Sequence, residues 1–170
     1  AMTSLSEAQL LRYLVDGYIV IEPETLTDAD HDLHYRRAME LYARADGGES
    51  EQPHLDILGD HVLDEIPELQ RLLDDPAVSG ALDTIVGSDR LLHPHHYLHR
   101  ASSSDQPFHQ DGNLPWNVRG HHRCHRPDWA LIFYYPQAVD LTNGPTDVVP
   151  GSQYWTVDHE KPAGDFHHAD

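Results

Sequence analysis

The chain has 170 residues, enough for one compact domain with its own core, and carries 29 acidic against 11 basic side chains for a formal net charge of -18. Such a surface repels polyanions, which argues against a nucleic-acid or anionic-membrane partner. No apolar run approaches the roughly 20 residues of a membrane span, no basic-then-apolar leader opens the chain, and Cys124 is the single cysteine, so no intrachain disulfide is expected and a reducing cytoplasm fits.

In chain order, Ser4-Leu5-Ser6-Glu7 opens a helix with capping-box chemistry. Leu11, Leu14 and Val15 form its apolar stripe, and Gly17 is its stop. Tyr18-Ile19-Val20-Ile21 reads as a short buried strand. Thr27 and Asp28 begin a second helix expected to reach about Arg44, with Leu33, Leu41 and Tyr42 near one face. Residues 46–53 are Gly- and acid-rich, a loop. A helix is expected over 65–73, with Ile66, Leu69, Leu72 and Leu73 apolar. Asp75 before Pro76 is a strong start signal for a further helix carrying Val78, Leu82 and Ile85 and ending at Gly87.

From Arg90 the texture changes. Residues 91–100 are strand-like and rich in histidine. His93, His95, Tyr97 and His99 form one alternating set, and His96 and Leu98 the other; Pro94 leaves open which set turns inward. A Ser-rich loop over 101–107 leads into Phe108-His109-Gln110-Asp111-Gly112. Residues 113–128 are irregular. Trp129-Ala130-Leu131-Ile132-Phe133-Tyr134-Tyr135 is a near-continuous apolar run, expected as a strand covered on both faces. Asn143-Gly144-Pro145 is a turn, and residues 146–149 a strand ended by Pro150-Gly151. Helices followed by closely spaced strands predict helical support packed on an antiparallel barrel or jelly roll.

The chemistry concentrates at residues 108–112. On a strand, side chains two apart share a face, so His109 and Asp111 converge while Gln110 turns away. An imidazole and a carboxylate placed so are two-thirds of a facial 2-His-1-carboxylate site, the signature of non-haem Fe(II) oxygenases. Taken alone, such a pair is more often a surface hydrogen-bonded couple.

The downstream segment Asn143-Gly144-Pro145-Thr146-Asp147-Val148-Val149-Pro150-Gly151-Ser152 changes that balance. Together with Gln106-Pro107-Phe108-His109-Gln110-Asp111, and with Asp16-Gly17-Tyr18-Ile19-Val20 after the first helix, it resembles the phytanoyl-CoA dioxygenase family. The likeness is dense over 106–152 and thin over 26–87. It implies an α+β fold, a double-stranded β-helix (a cupin-like jelly roll) with N-terminal supporting helices. It also implies one domain over 1–170, with 1–89 mainly helical support and 90–170 the first part of the β-helix. The resemblance implies an enzyme using Fe(II), 2-oxoglutarate and O2, with His109 and Asp111 as two metal ligands and catalytic residues. It implies hydroxylation of a C–H bond of a small molecule. Related halogenating enzymes lack the carboxylate, so Asp111 favours hydroxylation or desaturation. Trp116 falls where some relatives place an aromatic near 2-oxoglutarate.

Two departures accompany the likeness. Gln153 stands where the family's turn usually has histidine. The distal histidine ligand and the arginine that pairs with 2-oxoglutarate lie well beyond this turn in relatives. His159, His167 and His168 stand too close to Gly151 to supply that ligand, so a truncated or incompletely represented sequence is expected, in preference to a degenerate relative, with the closing strands missing. The alternatives are a non-catalytic jelly-roll binding module and a cupin-like metalloenzyme that does not use 2-oxoglutarate. Among the fifteen histidines, His121-His122-Arg123-Cys124-His125 lacks the paired spacing of a zinc site and reads as a loop near the site mouth. Cys124 has no base assigned to it as a nucleophile. Asp56, Asp60, Asp64 and Glu65 read as a solvated face.

Overall fold

A computed structural model describes residues 4–46, 57–59, 62–93, 96–100, 108, 127 and 129–154. Helix α1 (Glu7–Asp16) starts as its sequence predicts. The Ser6 hydroxyl accepts from the Gln9 amide at 3.3 Å, and the Gln9 side chain accepts from the Ser6 amide at 2.9 Å. It stops at Gly17, whose φ of 84° is left-handed and whose N–H donates to the Tyr13 carbonyl at 2.8 Å.

Helix α2 (Asp28–Asp46) runs two residues beyond the expected Arg44. Thr27 and Asp30 cap it reciprocally. The Thr27 amide donates to the Asp30 carboxylate at 2.9 Å, and the Thr27 hydroxyl does so at 2.7 Å. Among the described residues no helix is long and apolar enough to cross a membrane.

The helix expected over 65–73 is broken instead into α3 (Val62–Glu65), a 3-10 turn (Pro67–Leu69) and α4 (Gln70–Leu73). Pro67 is the cause. Its ring excludes the preceding residue from helical geometry, and Ile66 sits at φ -128°, ψ 71°. The break turns Ile66 into the centre of the core, at 1% exposure. Helix α5 (Pro76–Ile85) starts where Asp75-Pro76 predicts. One Asp75 oxygen caps it, accepting from the Ala77 amide at 3.0 Å and the Val78 amide at 3.3 Å. The other accepts from the Thr25 amide at 2.8 Å and the Thr25 hydroxyl at 2.7 Å, tying α5 to the chain entering α2. Burial raises the Asp75 pKa, but the Thr25 hydroxyl and the backbone amides outweigh it, and the carboxyl stays below the ordinary carboxylate value. Ile66, Val62, Leu72, Val78, Ala81, Ile85 and Tyr42 form the buried apolar core.

Strand β1 (Ile57–Gly59) pairs antiparallel with β2 (Tyr97–His99), Leu58 opposite Leu98. The sequence reading missed β1, because three residues carry no periodicity. In β2, Tyr97 and His99 are exposed and Leu98 is half-buried, so the set containing Leu98 is the one turned in.

Three strand expectations are corrected. Residues 18–21 belong to no ladder, and Tyr18 and Val20 are exposed while Ile19 and Ile21 are half-buried. Residues 146–149 also lie outside any ladder. The run 129–135 is not covered on both faces: Trp129, Leu131 and Phe133 are more than half exposed, at 57%, 54% and 57%. Among the described residues this run pairs with no strand, and Tyr134 anchors one of its faces on α2.

Candidate metal centre and its supporting contacts

Of the motif Phe108-His109-Gln110-Asp111-Gly112, Phe108 is described and is half-buried. His109, Asp111 and Trp116 lie outside the described residues, as does the 121–125 cluster. What the structure gives is the frame on which the flanking segments are held. Among the described residues, no three His, Cys, Asp or Glu side chains gather as a metal-holding group.

Strand β2 leads toward the motif. Its exit is seated on α2, where the Arg100 guanidinium stacks 4.8 Å from the centroid of the Tyr42 ring. His96, just ahead of β2 and in the inward set, has a buried Nε2 that makes no hydrogen bond. Partial desolvation of its ring, on a residue otherwise exposed, draws the His99 pKa below the ordinary imidazole value.

Behind the 129–135 run lies a polar cluster built from α2. The Tyr134 hydroxyl is 2.7 Å from His31 Nδ1 and 2.9 Å from His34 Nδ1. His34 is 2% exposed, with a ring edge-on to Tyr134. Burial pulls the His34 pKa down against the Glu68 backbone carbonyl and the Asp30 charge, which favour a proton. Burial and then the Asp30 charge push the Tyr134 phenol up to about 12. Asp30 itself is held below its ordinary value, first by the Thr27 amide and hydroxyl, then by Arg71, which forms an ion pair with it. Sequence reasoning missed this cluster. The available signal was the i,i+3 spacing of His31 and His34, which puts both rings on one helix face.

The downstream turn is fixed by its own side chains. Asp140 accepts from the Thr142 amide at 2.7 Å and hydroxyl at 2.6 Å, while Asn143 Oδ1 accepts from the Asp140 amide at 2.7 Å. Gly144 takes φ 72°. The Tyr135 hydroxyl donates to Thr146 across this turn.

The two ends of the chain's patterned sequence meet here. Gly151 takes φ 79° and its N–H donates to the Asp16 carbonyl at 2.9 Å. The Gln153 carboxamide donates to the Leu14 carbonyl at 3.3 Å and the Val15 carbonyl at 3.2 Å. Those are carbonyls that the last turn of α1 leaves without helical partners. A β-carbon on Gly17 would stand 2.4 Å from Gln153 Oε1, so a side chain there would push the carboxamide aside, while the left-handed φ favours glycine. Asp16-Gly17 and Pro150-Gly151-Ser152-Gln153, far apart in sequence, therefore form one joint. Gln153, the departure noted in the turn, has a defined task as the external cap of α1.

No curated protein and no solved structure matches the chain. The family model described as Phytanoyl-CoA dioxygenase matches residues 13–170, a span that takes in the α1 joint, both α2 contacts, the His109-x-Asp111 motif and the closing turn. The chain belongs to the phytanoyl-CoA dioxygenase family, whose members are 2-oxoglutarate-dependent dioxygenases.

Proposed function

We propose that this chain is an Fe(II)- and 2-oxoglutarate-dependent oxygenase that hydroxylates a C–H bond of a small molecule, on a double-stranded β-helix carried by the N-terminal helices as a single domain. The observation that carries the reading is the family match over 13–170 with His109-x-Asp111 inside it. The donor set fits the metal: a neutral imidazole and an ionised carboxylate are ligand types that Fe(II) takes. His109 and Asp111 would hold the iron, and Trp116 would stand by the 2-oxoglutarate. Iron bound there with 2-oxoglutarate supplies the O2 activation on which hydroxylation depends.

The chain's own residues do the rest. His109 binds through a bare ring nitrogen and Asp111 through its carboxylate, so protons compete for both, and metal affinity falls on acidification. Gln110, one residue out of register with them, is left out of the ligand set. The Arg100–Tyr42 and Tyr134 contacts hold Arg100, ahead of the motif, and Tyr134, after it, against α2. A net charge of -18 disfavours a polyanionic substrate and favours a neutral or cationic small molecule.

The test is succinate release by the full chain, requiring both Fe(II) and 2-oxoglutarate, alongside calorimetric Fe(II) binding. His109→Ala and Asp111→Ala should each weaken metal binding by about 100-fold or more, since even changes to groups behind metal ligands cost about 10–100-fold. Iron-loaded protein that never decarboxylates 2-oxoglutarate with any candidate substrate would sink the proposal.

A further inference from the structure

The contact between α2 and residues 129–136 is built so that a proton can undo it. A phenol offers one O–H and two oxygen lone pairs. Both His31 Nδ1 and His34 Nδ1 are within 2.9 Å of the Tyr134 oxygen. With neutral rings, one arrangement satisfies all three groups: Tyr134 donates to one Nδ1 and accepts the N–H of the other. A proton added to the accepting ring makes both Nδ1 atoms donors, so the phenolic hydrogen loses its acceptor and must turn away from the pair. His34 can least accommodate the added proton, because it is 2% exposed and the resulting cation would be shielded from water.

Charged groups from three segments face the pair. From α2, Asp30 faces the pair, but its two oxygens are engaged by Thr27 and by Arg71. Arg37, also on α2, lies 3.9 Å from one Glu68 oxygen. From residues 67–73, Glu68 presents a carboxylate and a backbone carbonyl and Arg71 a cation. From the 129–136 run, Tyr134 is the titratable group on this side, Tyr135 being bonded to Thr146 instead. We infer that His31–Tyr134–His34 is a proton-operated latch: uptake of one proton by the imidazole pair releases residues 129–136 from α2. The inference uses no part of the iron reading and stands or falls apart from it.

Amide hydrogen exchange of the full chain without added iron tests it. Rates for peptides covering 129–136 are measured at about pH 7.5 and about pH 5.5, each divided by the intrinsic rate at that pH. Wild-type protection over 129–136 should fall by about tenfold as the pH drops, since one linked proton gives up to tenfold per pH unit below the free imidazole value. Protection over 76–85 should hold. Tyr134→Phe should show low protection over 129–136 at both pH values, with the pH step gone. If Tyr134→Phe also loses protection over 76–85, the comparison is decided by His31→Gln, whose ring is half-buried and which should likewise lose the step. Equal wild-type protection at the two pH values, or a pH step that survives in the deciding variant, overturns the latch.

Discussion

The helical half around α3 to α5 and the segment 129–154 are held in different ways. In residues 62–85, hydrogen bonds close within a few residues and apolar side chains bury one another around Ile66. Over 129–154, beside the local Asp140–Asn143 turn, single polar atoms reach far along the chain: Tyr134 to His31 and His34, Gln153 to Leu14 and Val15, Gly151 to Asp16. The first region is stabilised by area and the second by placement. Area tolerates small losses by degrees, whereas a placed contact is present or absent. The patterned residues Asn143 to Ser152 sit in the second region.

The largest expected effect sharpens this contrast at its apolar end. Ile66→Ala should cost about 2–5 kcal/mol, the range for truncating a fully buried aliphatic side chain. Phe133→Ala, on the exposed face, should cost under about 1 kcal/mol. Chemical denaturation of both variants checks it, and similar losses at the two sites would erase the distinction.

Asp75→Ala should come next, at about 2 kcal/mol. It removes the α5 cap and strands the Thr25 amide and hydroxyl together. Asp75→Asn, which keeps an acceptor oxygen, should recover part of the loss in thermal melts. Identical melting of the two variants would mean that the cap contributes nothing.

Gly17→Ala should cost about 1–2 kcal/mol, from left-handed backbone and from crowding against Gln153. In a double-mutant cycle with Gln153→Ala, the combined loss should be less than the sum, because removing the carboxamide relieves the crowding and leaves the backbone strain. Strict additivity would break the joint into two unrelated sites.

The smallest effects are in the acid limb of stability. His34 has a folded pKa below its unfolded value of 6.5, so its contribution is fully present above 6.5 and is lost as pH falls below it. Asp30 and Asp75 have folded values below 3.8, so their contributions are present above 3.8 and disappear as pH drops through the lowered folded values. Stability against pH should show two descents. His34→Gln should remove the upper one and Asp75→Asn should diminish the lower. A single descent near pH 4 in the wild type would contradict the His34 assignment.

The sequence made the helices legible because their signals are local. Ser6 with Gln9, Gly17, and Asp75-Pro76 each act within a few residues of themselves. The same locality explains the error at 65–73, where apolar spacing was read through Pro67 although the ring's effect on Ile66 overrides it. The strands were less legible. β1 is three residues with no pattern, and the run 129–135 has the composition of a two-sided buried strand yet keeps one face exposed. The motif residues His109 and Asp111 were found by type and spacing, and their place rests on the family match.

By itself, then, the sequence determined the family, an imidazole and a carboxylate two residues apart, and the starts and stops of most helices, because each of these depends on residue chemistry and short spacing. Tertiary structure alone decided that Gln153 caps α1, that its carboxamide lies against Gly17, and that two histidines of α2 share one tyrosine hydroxyl. Those contacts join residues about a hundred or more positions apart, and no local pattern encodes which distant atom will fill a helix end or face a buried ring.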